Sequence, residues 1–343
     1  MKRFVPESLC CDEMKEMSGP IRVFIERLDR SYLARIQEGL SYIGMASKVK
    51  PGDTVFIKPN LTYPYYKEGV MTSPGCVEQL IQALKDYSLN IIVGEADGGG
   101  YNRFSMDEVF EKTGLRVIAK RHNVKLVNLS KLSSRDIYFD YKGQHFVVPL
   151  PRLLLDEIDL FITVPVPKVH GNTGVSMSIK NQWGCIQEPS LRLKLHPYFK
   201  KIILEVNKAL KVGISIIDGK FGLTRNGPLR GDAVELNWIT VADNILAADM
   251  VCCHLIGIDP LSIRYLHYYA ENGPPVHLDE ILFYRDYTRF VGPRFELKRE
   301  WLDYPGYLAF YSSFFAHVAY HSSLSRALHK GLYLFREKFY DHD

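Results

Sequence analysis

The sequence predicts an α/β fold with a mostly parallel, doubly wound sheet, helices on both faces and a helical C-terminal extension. Short apolar runs that are typical of buried strands alternate with amphipathic runs of helical spacing, which indicates parallel βαβ units. The runs 54–57 and 158–163 are apolar almost throughout, as strands covered on both faces are. Several of these runs end in charged or amide side chains, at the point where parallel strands present ligand-binding groups.

The first half of the chain predicts strands and helices in alternation. Ser31 or Asp29 can cap a helix over 32–45, because either side chain can accept hydrogen bonds from the first turn. Pro74 or Gly75 begins a second helix, since proline is tolerated at the first helical position. The remaining predicted elements of this half are the strands 21–26, 54–57, 90–94 and 125–128, the helix 105–112 and a hairpin with strands 137–140 and 145–149.

The rest of the chain is organised around the stretch 163–185. The strand 158–163 ends before Pro165 and Pro167, because proline cannot donate to a strand ladder. A polar loop with two glycines follows, and a short helical or irregular run then ends at Lys180. Beyond this stretch the sequence predicts a helix at 198–210, strands at 212–219 and 238–243, and helices at 244–256 and 260–271.

We expect three parts, a polar N-terminal extension over 1–20, the α/β domain over 21–290 and an aromatic helical extension over 291–343. Aromatic residues recur at helical spacing from Trp301 onward and indicate two helices. These helices would pack on the domain, or contact a second copy to form a homodimer, or contact a partner protein. A membrane-surface helix is the alternative, because basic residues lie among the aromatic ones.

The composition excludes several classes of protein. With 46% hydrophobic and 24% charged residues, the 343-residue chain is ordinary for a globular protein. The net charge of +4 is small and the basic residues are scattered, so no nucleic acid partner is expected. No uncharged apolar run approaches the roughly 20 residues that span a bilayer, and the first residues lack the apolar core of a signal peptide. We therefore expect a cytoplasmic protein without a transmembrane segment.

The cysteine pattern gives no metal-binding spacing. The six cysteines include two adjacent pairs and no Cys-x-x-Cys, so neither a zinc knuckle nor a ferredoxin-type cluster is expected. Most of them are expected to be reduced, buried thiols.

The candidate site residues follow the predicted strands. Lys168, His170 and Lys180 are predicted to be catalytic, because a lysine near other cations can act as a base or nucleophile and histidine titrates near neutral pH. The predicted substrate-binding residues, whose ammonium and amide groups suit a carboxylate or a phosphate, are Lys58, Asn60, Asn172 and Asn181. Since parallel strands share one carboxyl edge, the three lysines should face one cleft, with Glu95 or Asp97 beside them.

Three carboxylates end apolar runs and suggest a metal site. Glu95, Asp97 and Asp218, together with His170, could hold a hard divalent cation such as magnesium, manganese or iron. For each acid, a helix cap or a turn is the alternative. The sequence therefore leaves the cofactor open, with a divalent metal as the candidate.

The order of these motifs closely resembles the domain of unknown function family 362. The motifs are Ile57-Lys-Pro-Asn-Leu61, Ser73-Pro74, Val93-Gly-Glu-Ala-Asp97, Val164-Pro-Val-Pro-Lys-Val-His170 with Lys180-Asn181 and Gly184, Ile217-Asp-Gly219, Gly227-Pro228 with Gly231, and Ala242-Asp243 to Asp249. The resemblance covers about residues 45–275 and implies a fold and a site more than a reaction. Many members carry a ferredoxin-type cysteine domain whose cysteines this sequence lacks, so no iron–sulfur cluster is expected. More remotely, the basic loop followed by Gly174 and Lys180 is similar to the lactate racemase-like proteins.

Two functions are consistent with these observations. The first is an enzyme that acts on a small anionic metabolite or biosynthetic intermediate through lysine and histidine acid–base chemistry, isomerase- or racemase-like or transferase-like, with metal assistance if the carboxylates bind a cation. The second is a non-catalytic ligand-binding or partner-docking subunit of a biosynthetic pathway, which the aromatic extension favours.

Overall fold

The computed structural model describes residues 19–98, 104–320 and 322–324. Most of the expected N-terminal extension lies outside these residues, together with Cys10 and Cys11. The end of the aromatic extension, residues 325–343, also lies outside them. In the described part of the chain, no helix has both the length and the apolar character that crossing a membrane requires.

Strands occur where the apolar runs predict them, with some additions. The strands are β1 (Arg22–Arg27), β2 (Thr54–Pro59), β3 (Asn90–Glu95), β4 (Lys125–Asn128), β5 (Ser134–Tyr141), β6 (Gln144–Pro151), β7 (Leu160–Val164), β8 (Lys168–His170), β9 (Gly174–Ser176), β10 (Val212–Thr224), β11 (Asp232–Ala242) and β12 (Leu282–Phe283).

Helices alternate with these strands. They are α1 (Tyr32–Tyr42), α2 (Met45–Lys48), α3 (Pro74–Lys85), α4 (Met106–Lys112), α5 (Leu115–His122), α6 (Arg152–Asp156), α7 (Ser178–Asn181), α8 (Pro189–Leu195), α9 (Phe199–Leu210), α10 (Ile245–Leu255), α11 (Arg264–Asn272), α12 (Tyr304–Tyr311) and α13 (Ser313–Tyr320). Short 3₁₀ turns lie at Leu129–Lys131, Gln182–Cys185, His196–Tyr198, Pro260–Ser262, Leu278–Glu280, Tyr287–Phe290 and Trp301–Asp303. Ser31 caps α1 as predicted, because its hydroxyl accepts from the N–H of Ala34 at 3.3 Å.

The main sheet is mixed and mostly parallel, which confirms the predicted fold class. Its described strands have the order β12-β1-β11-β10-β7-β2-β3-β4. The strands from β10 to β4 pair in parallel along this order, whereas β11 is antiparallel to both of its neighbours. The carboxyl ends of β2 and β7 therefore meet, with Lys58 paired to Thr163 and Pro59 to Val164.

Alternate side chains of each central strand enter cores on opposite faces of the sheet. On β2, Val55 and Ile57 pack into one core, while Phe56 packs into the other. Helices α1, α3, α4 and α5 cover the first face, and α9, α10 and α11 cover the second. This two-sided burial explains why the strand runs are apolar throughout.

The region around Lys168 differs from the predicted loop. After the two prolines the chain forms a β8–β9 hairpin, in which Lys168 pairs with Ser176. Strand β10 is also longer than predicted, because its second half pairs with β11 as a hairpin and with β8 at Lys168. Asp218, which was expected at a strand end, therefore lies in the middle of β10.

Candidate active site

A cavity of about 440 Å³ lies at the carboxyl edge of the sheet and gathers most of the predicted site residues. Its walls include three predicted catalytic residues and four predicted binding residues, namely Lys58, Asn60, Lys168, His170, Asn172, Lys180 and Asn181. Among the described residues that line it, five are lysine or arginine and two are carboxylates, an excess of three formal positive charges. The cavity is therefore suited to an anion.

The floor of the cavity is a buried ion pair between neighbouring strands. Nζ of Lys58, on β2, lies 2.7 Å from Oε2 of Glu95, on β3. Both side chains are almost fully buried. Gly184 lies directly against the pair, since a Cβ there would come within 2.6 Å of Oε1 of Glu95 and 3.0 Å of Nζ of Lys58. A side chain at position 184 would therefore displace the ends of both side chains of this pair.

Lys168 is held by a side-chain amide oxygen and a main-chain carbonyl, both of which are uncharged. Its Nζ donates to Oδ1 of Asn60 at 2.5 Å and to the carbonyl of Val70 at 2.8 Å. Burial, together with the charge of Lys180 and against the opposing charge of Glu95, lowers the pKa of Lys168 to about 7. An ammonium has three N–H donors, so one remains for a ligand.

Lys180 is the least constrained cation of the cavity. It lies on the short helix α7, and in the described ranges no hydrogen bond or ion pair engages its Nζ. Burial, followed by the charge of Lys58, lowers the pKa of Lys180 to about 7. A substantial fraction of this side chain is therefore a free amine at neutral pH.

The buried carboxylate of Asp249 fixes the helix that carries Lys180. Asp249, on α10, accepts hydrogen bonds from the N–H groups of Ser178 at 2.7 Å and Ile179 at 3.0 Å. These are the first N–H groups of α7, which have no partners within the helix itself. The contact sets the direction in which α7 presents Lys180. Asp249 belongs to the motifs of the family resemblance, but no local pattern of the sequence pairs it with α7.

His170 has a neutral ring that accepts a hydrogen bond from the main chain. Its Nδ1 accepts from the N–H of Asn172 at 3.1 Å, so the proton of the neutral ring lies on Nε2. Burial and the charges of Lys180 and Lys168 hold the pKa of His170 well below its usual range. The expected titration of His170 near neutral pH is therefore not supported.

Two of the three predicted asparagines, Asn172 and Asn181, have mainly structural contacts. The amide of Asn181 donates to the carbonyl of Lys58 at 3.1 Å and to Oγ1 of Thr163 at 2.9 Å, which joins α7 to β2 and β7. The main-chain carbonyl of Asn172 accepts a hydrogen bond from the hydroxyl of Tyr311 at 2.7 Å. Asn172 therefore links the β8–β9 hairpin to the aromatic extension.

The described residues do not gather the predicted metal ligands. Asp97 accepts from the N–H of Met106 at 2.6 Å, where it fixes the start of α4. Asp218 accepts from Tyr32 and Ser73 at 2.7 and 2.9 Å, near the start of α3. Among the described residues, Glu95 lines the cavity, whereas these two aspartates do not. No group of three or more histidine, cysteine, aspartate or glutamate side chains that could hold a metal ion occurs in the described part of the chain. A resident divalent metal therefore does not fit the predicted set.

The structure adds site residues that the sequence did not indicate. Arg192, on α8, donates to the main-chain carbonyls of Asp97 and Ile186 at 2.7 and 2.8 Å, and no carboxylate among the described residues pairs with it. His196 stacks on Trp183, and burial with the nearby Lys180 charge lowers its pKa to about 3. These groups add a charge and an aromatic wall to the cavity.

The aromatic extension completes one side of the cavity. Phe310, on α12, is buried, with its ring centroid 4.7 Å from that of His196 and 5.4 Å from that of Phe199. The C-terminal segment therefore packs on the domain through this ring. Other rings of the segment remain exposed, among them Trp301 and Phe314.

Comparisons with solved structures give distant likenesses. The lactate racemase apoprotein of Thermoanaerobacterium thermosaccharolyticum aligns with a TM-score of 0.38 and 15% identity, over 57% of this chain and 50% of that one. A protein of Thermotoga maritima aligns with a TM-score of 0.39 and 16% identity, over 54% of this chain and 50% of that one. The chain thus spans half the length of each of these structures.

Sequence comparisons are more specific. A thylakoid-associated protein of Synechocystis sp. is 25% identical over 235 residues, which cover 64% of this chain and 68% of that protein. A family model described as Domain of unknown function (DUF362) matches residues 55–254, which include the strands and helices that build the cavity floor. Because this match covers more than half of the chain, the protein belongs to the DUF362 family, as its motifs predicted.

Proposed function

We propose that this protein is an enzyme that acts on a small metabolite carrying a carboxylate or phosphate group. The observation that supports this most directly is the excess of three formal positive charges around the cavity. Like charges gathered away from water raise the free energy of the empty site, and a bound anion would lower it. The cavity volume of about 440 Å³ also falls in the range of small-molecule sites.

We assign proton transfer to the two lysines whose pKa values lie near neutrality. A group exchanges protons most effectively when its pKa is close to the working pH, and Lys168 and Lys180 both have pKa values of about 7. Lys180, whose amine has no partner among the described residues, would act as a base or as a nucleophile, and Lys168 would act as the acid. His170 would stay neutral and donate a hydrogen bond from Nε2. These roles fit an isomerase- or racemase-like or a transferase-like reaction.

The experiment is a search for a co-purifying anion by native mass spectrometry. We expect the wild-type chain to release an anionic metabolite on denaturation, and the double variant Lys168→Met with Lys180→Met to release none. Lys208→Met, which removes a more exposed lysine, is the matched control and should keep the ligand. Empty preparations, with no melting-temperature shift from a panel of carboxylates and phosphates, would contradict the proposal.

A non-catalytic docking role is the second candidate, because several aromatic rings remain outside the core. Trp301 is 71% exposed and Phe314 is 69% exposed. The Synechocystis relative is named for an association with thylakoids, which agrees with a docking surface. The double variant Trp301→Ser with Phe314→Ser tests this role without removing Phe310 from the cavity wall. Loss of a partner with anion binding intact would favour docking, and no change in either would exclude this surface.

A further inference from the structure

The three lysines of the cavity differ in what their ammonium groups contact. Lys58 is neutralised by Glu95, and Lys168 is held by two oxygen acceptors. Lys180 has neither kind of partner among the described residues, yet the backbone of its helix is fixed by Asp249. The structure therefore fixes the backbone that carries this side chain and leaves its amine free to react.

We propose that Nζ of Lys180 is a nucleophile that forms an imine with the carbonyl carbon of a 2-oxo acid. This inference rests on the proposed function, and it names the substrate class and a covalent step. A 2-oxo acid carries a carboxylate directly beside an electrophilic carbonyl. Lys168 and Arg192 line the same cavity and supply the charges that would bind this carboxylate. A carbonyl next to the bound carboxylate would then lie within the cavity that Lys180 faces.

The step balances with groups that the cavity contains. The lone pair of the Lys180 amine attacks the carbonyl carbon, a C–N bond forms, and a proton moves from nitrogen to oxygen to give a carbinolamine. Lys168 then protonates the hydroxyl, the C–O bond breaks, and water leaves. The product is a protonated imine on Lys180 and a neutral Lys168, which regains its proton from solvent. His170 can donate a hydrogen bond to the oxygen from Nε2.

The environment makes the amine available at neutral pH. A lysine with a pKa of about 7 has a free-amine fraction at pH 7 that is roughly a thousandfold larger than that of a lysine in water. Burial and neighbouring cations are the conditions under which lysines serve as imine-forming nucleophiles. The charge of the protonated imine would be balanced by the substrate carboxylate.

Reductive trapping tests the proposal on the full chain. The protein is incubated at pH 7 with cyanoborohydride and, separately, pyruvate, 2-oxoglutarate and phenylpyruvate, and the modified residue is located by peptide mass spectrometry. We expect an adduct on Lys180, roughly tenfold or more above that on the more exposed Lys208. Inorganic phosphate should protect Lys180 by competing for the cations. Lys180→Arg, which keeps the charge, should give no adduct there while melting at a similar temperature.

The outcomes separate the covalent step from the anion site. If these acids bind saturably but no adduct forms on Lys180, the imine is wrong and the anion site stands. If the adduct is spread equally over exposed lysines, the imine is also wrong. If neither the acids nor phosphate bind, both this inference and the proposed function fail. The wild-type measurements decide these cases even if a variant does not fold.

Discussion

Replacing Glu95 by glutamine should destabilise the fold by several kcal/mol, because the ammonium of Lys58 would lose its buried counter-charge. The two groups are 2.7 Å apart, and their side chains are only 1% and 4% exposed. Removing one partner of a buried pair costs about 3–5 kcal/mol. The lysine can escape by releasing its proton, which at pH 7 costs about 4.6 kcal/mol and sets an upper limit. We therefore expect a loss of about 3–4.6 kcal/mol at pH 7.

Urea denaturation at two pH values measures this loss. At pH 9 the release of a lysine proton costs only about 1.9 kcal/mol, so the destabilisation by Glu95→Gln should become smaller. Glu108→Gln is the matched control, because its pair with Lys112 has the same 2.7 Å distance but side chains that are 32% and 39% exposed. The control should lose only about 0.3–0.5 kcal/mol. Equal losses for the two variants, or a loss for Glu95→Gln that grows with pH, would refute the reasoning.

Three further predictions concern the cavity walls. The pKa of Lys180 is about 7, below that of a lysine in the unfolded chain, so unfolding takes up a proton between pH 7 and 10. The free energy of unfolding should therefore rise with pH over this range. Lys180→Met should reduce the slope of this rise, measured by urea denaturation, by at most about 1.4 kcal/mol per pH unit. Phe310→Ala should cost about 3 kcal/mol of unfolding free energy because its ring is buried, whereas Phe314→Ala, at a 69% exposed ring, should stay within about 0.5 kcal/mol. His170 should keep the neutral Nε2–H form from pH 8 to 5.5 in ¹⁵N NMR spectra, whereas His267, whose pKa is raised by hydrogen bonds, should titrate. Protonation of His170 in that range would contradict its neutral state.

The fold and the meeting of the lysines could be predicted because both depend on local patterns. Apolar runs marked the parallel strands, and the shared carboxyl edge of such strands brought Lys58 on β2 together with Lys168 and Lys180. The family followed from the same motifs, since the residues that build the cavity floor are those that the motifs contain.

The remaining features depend on tertiary contacts that no local pattern reveals. Asp97 and Asp218 end apolar runs just as Glu95 does. Their carboxylate oxygens, however, accept hydrogen bonds from backbone N–H groups at the starts of helices. Arg192 comes from a helix that was not predicted, and Phe310 reaches the cavity from the aromatic extension. The sequence shows that these side chains exist but not which of them share a cavity.

Titration of individual lysine side chains measures whether the cavity holds uncompensated positive charge for an anion. The ¹³Cε signals of Lys168 and Lys180 are followed by NMR from pH 5 to 11, with and without inorganic phosphate, and assigned with the Lys→Met variants. Both lysines should titrate near pH 7 in the free protein, and phosphate should raise both pKa values, because an anion stabilises their charged forms. Titration of both near pH 10.4, unchanged by phosphate, would contradict this expectation.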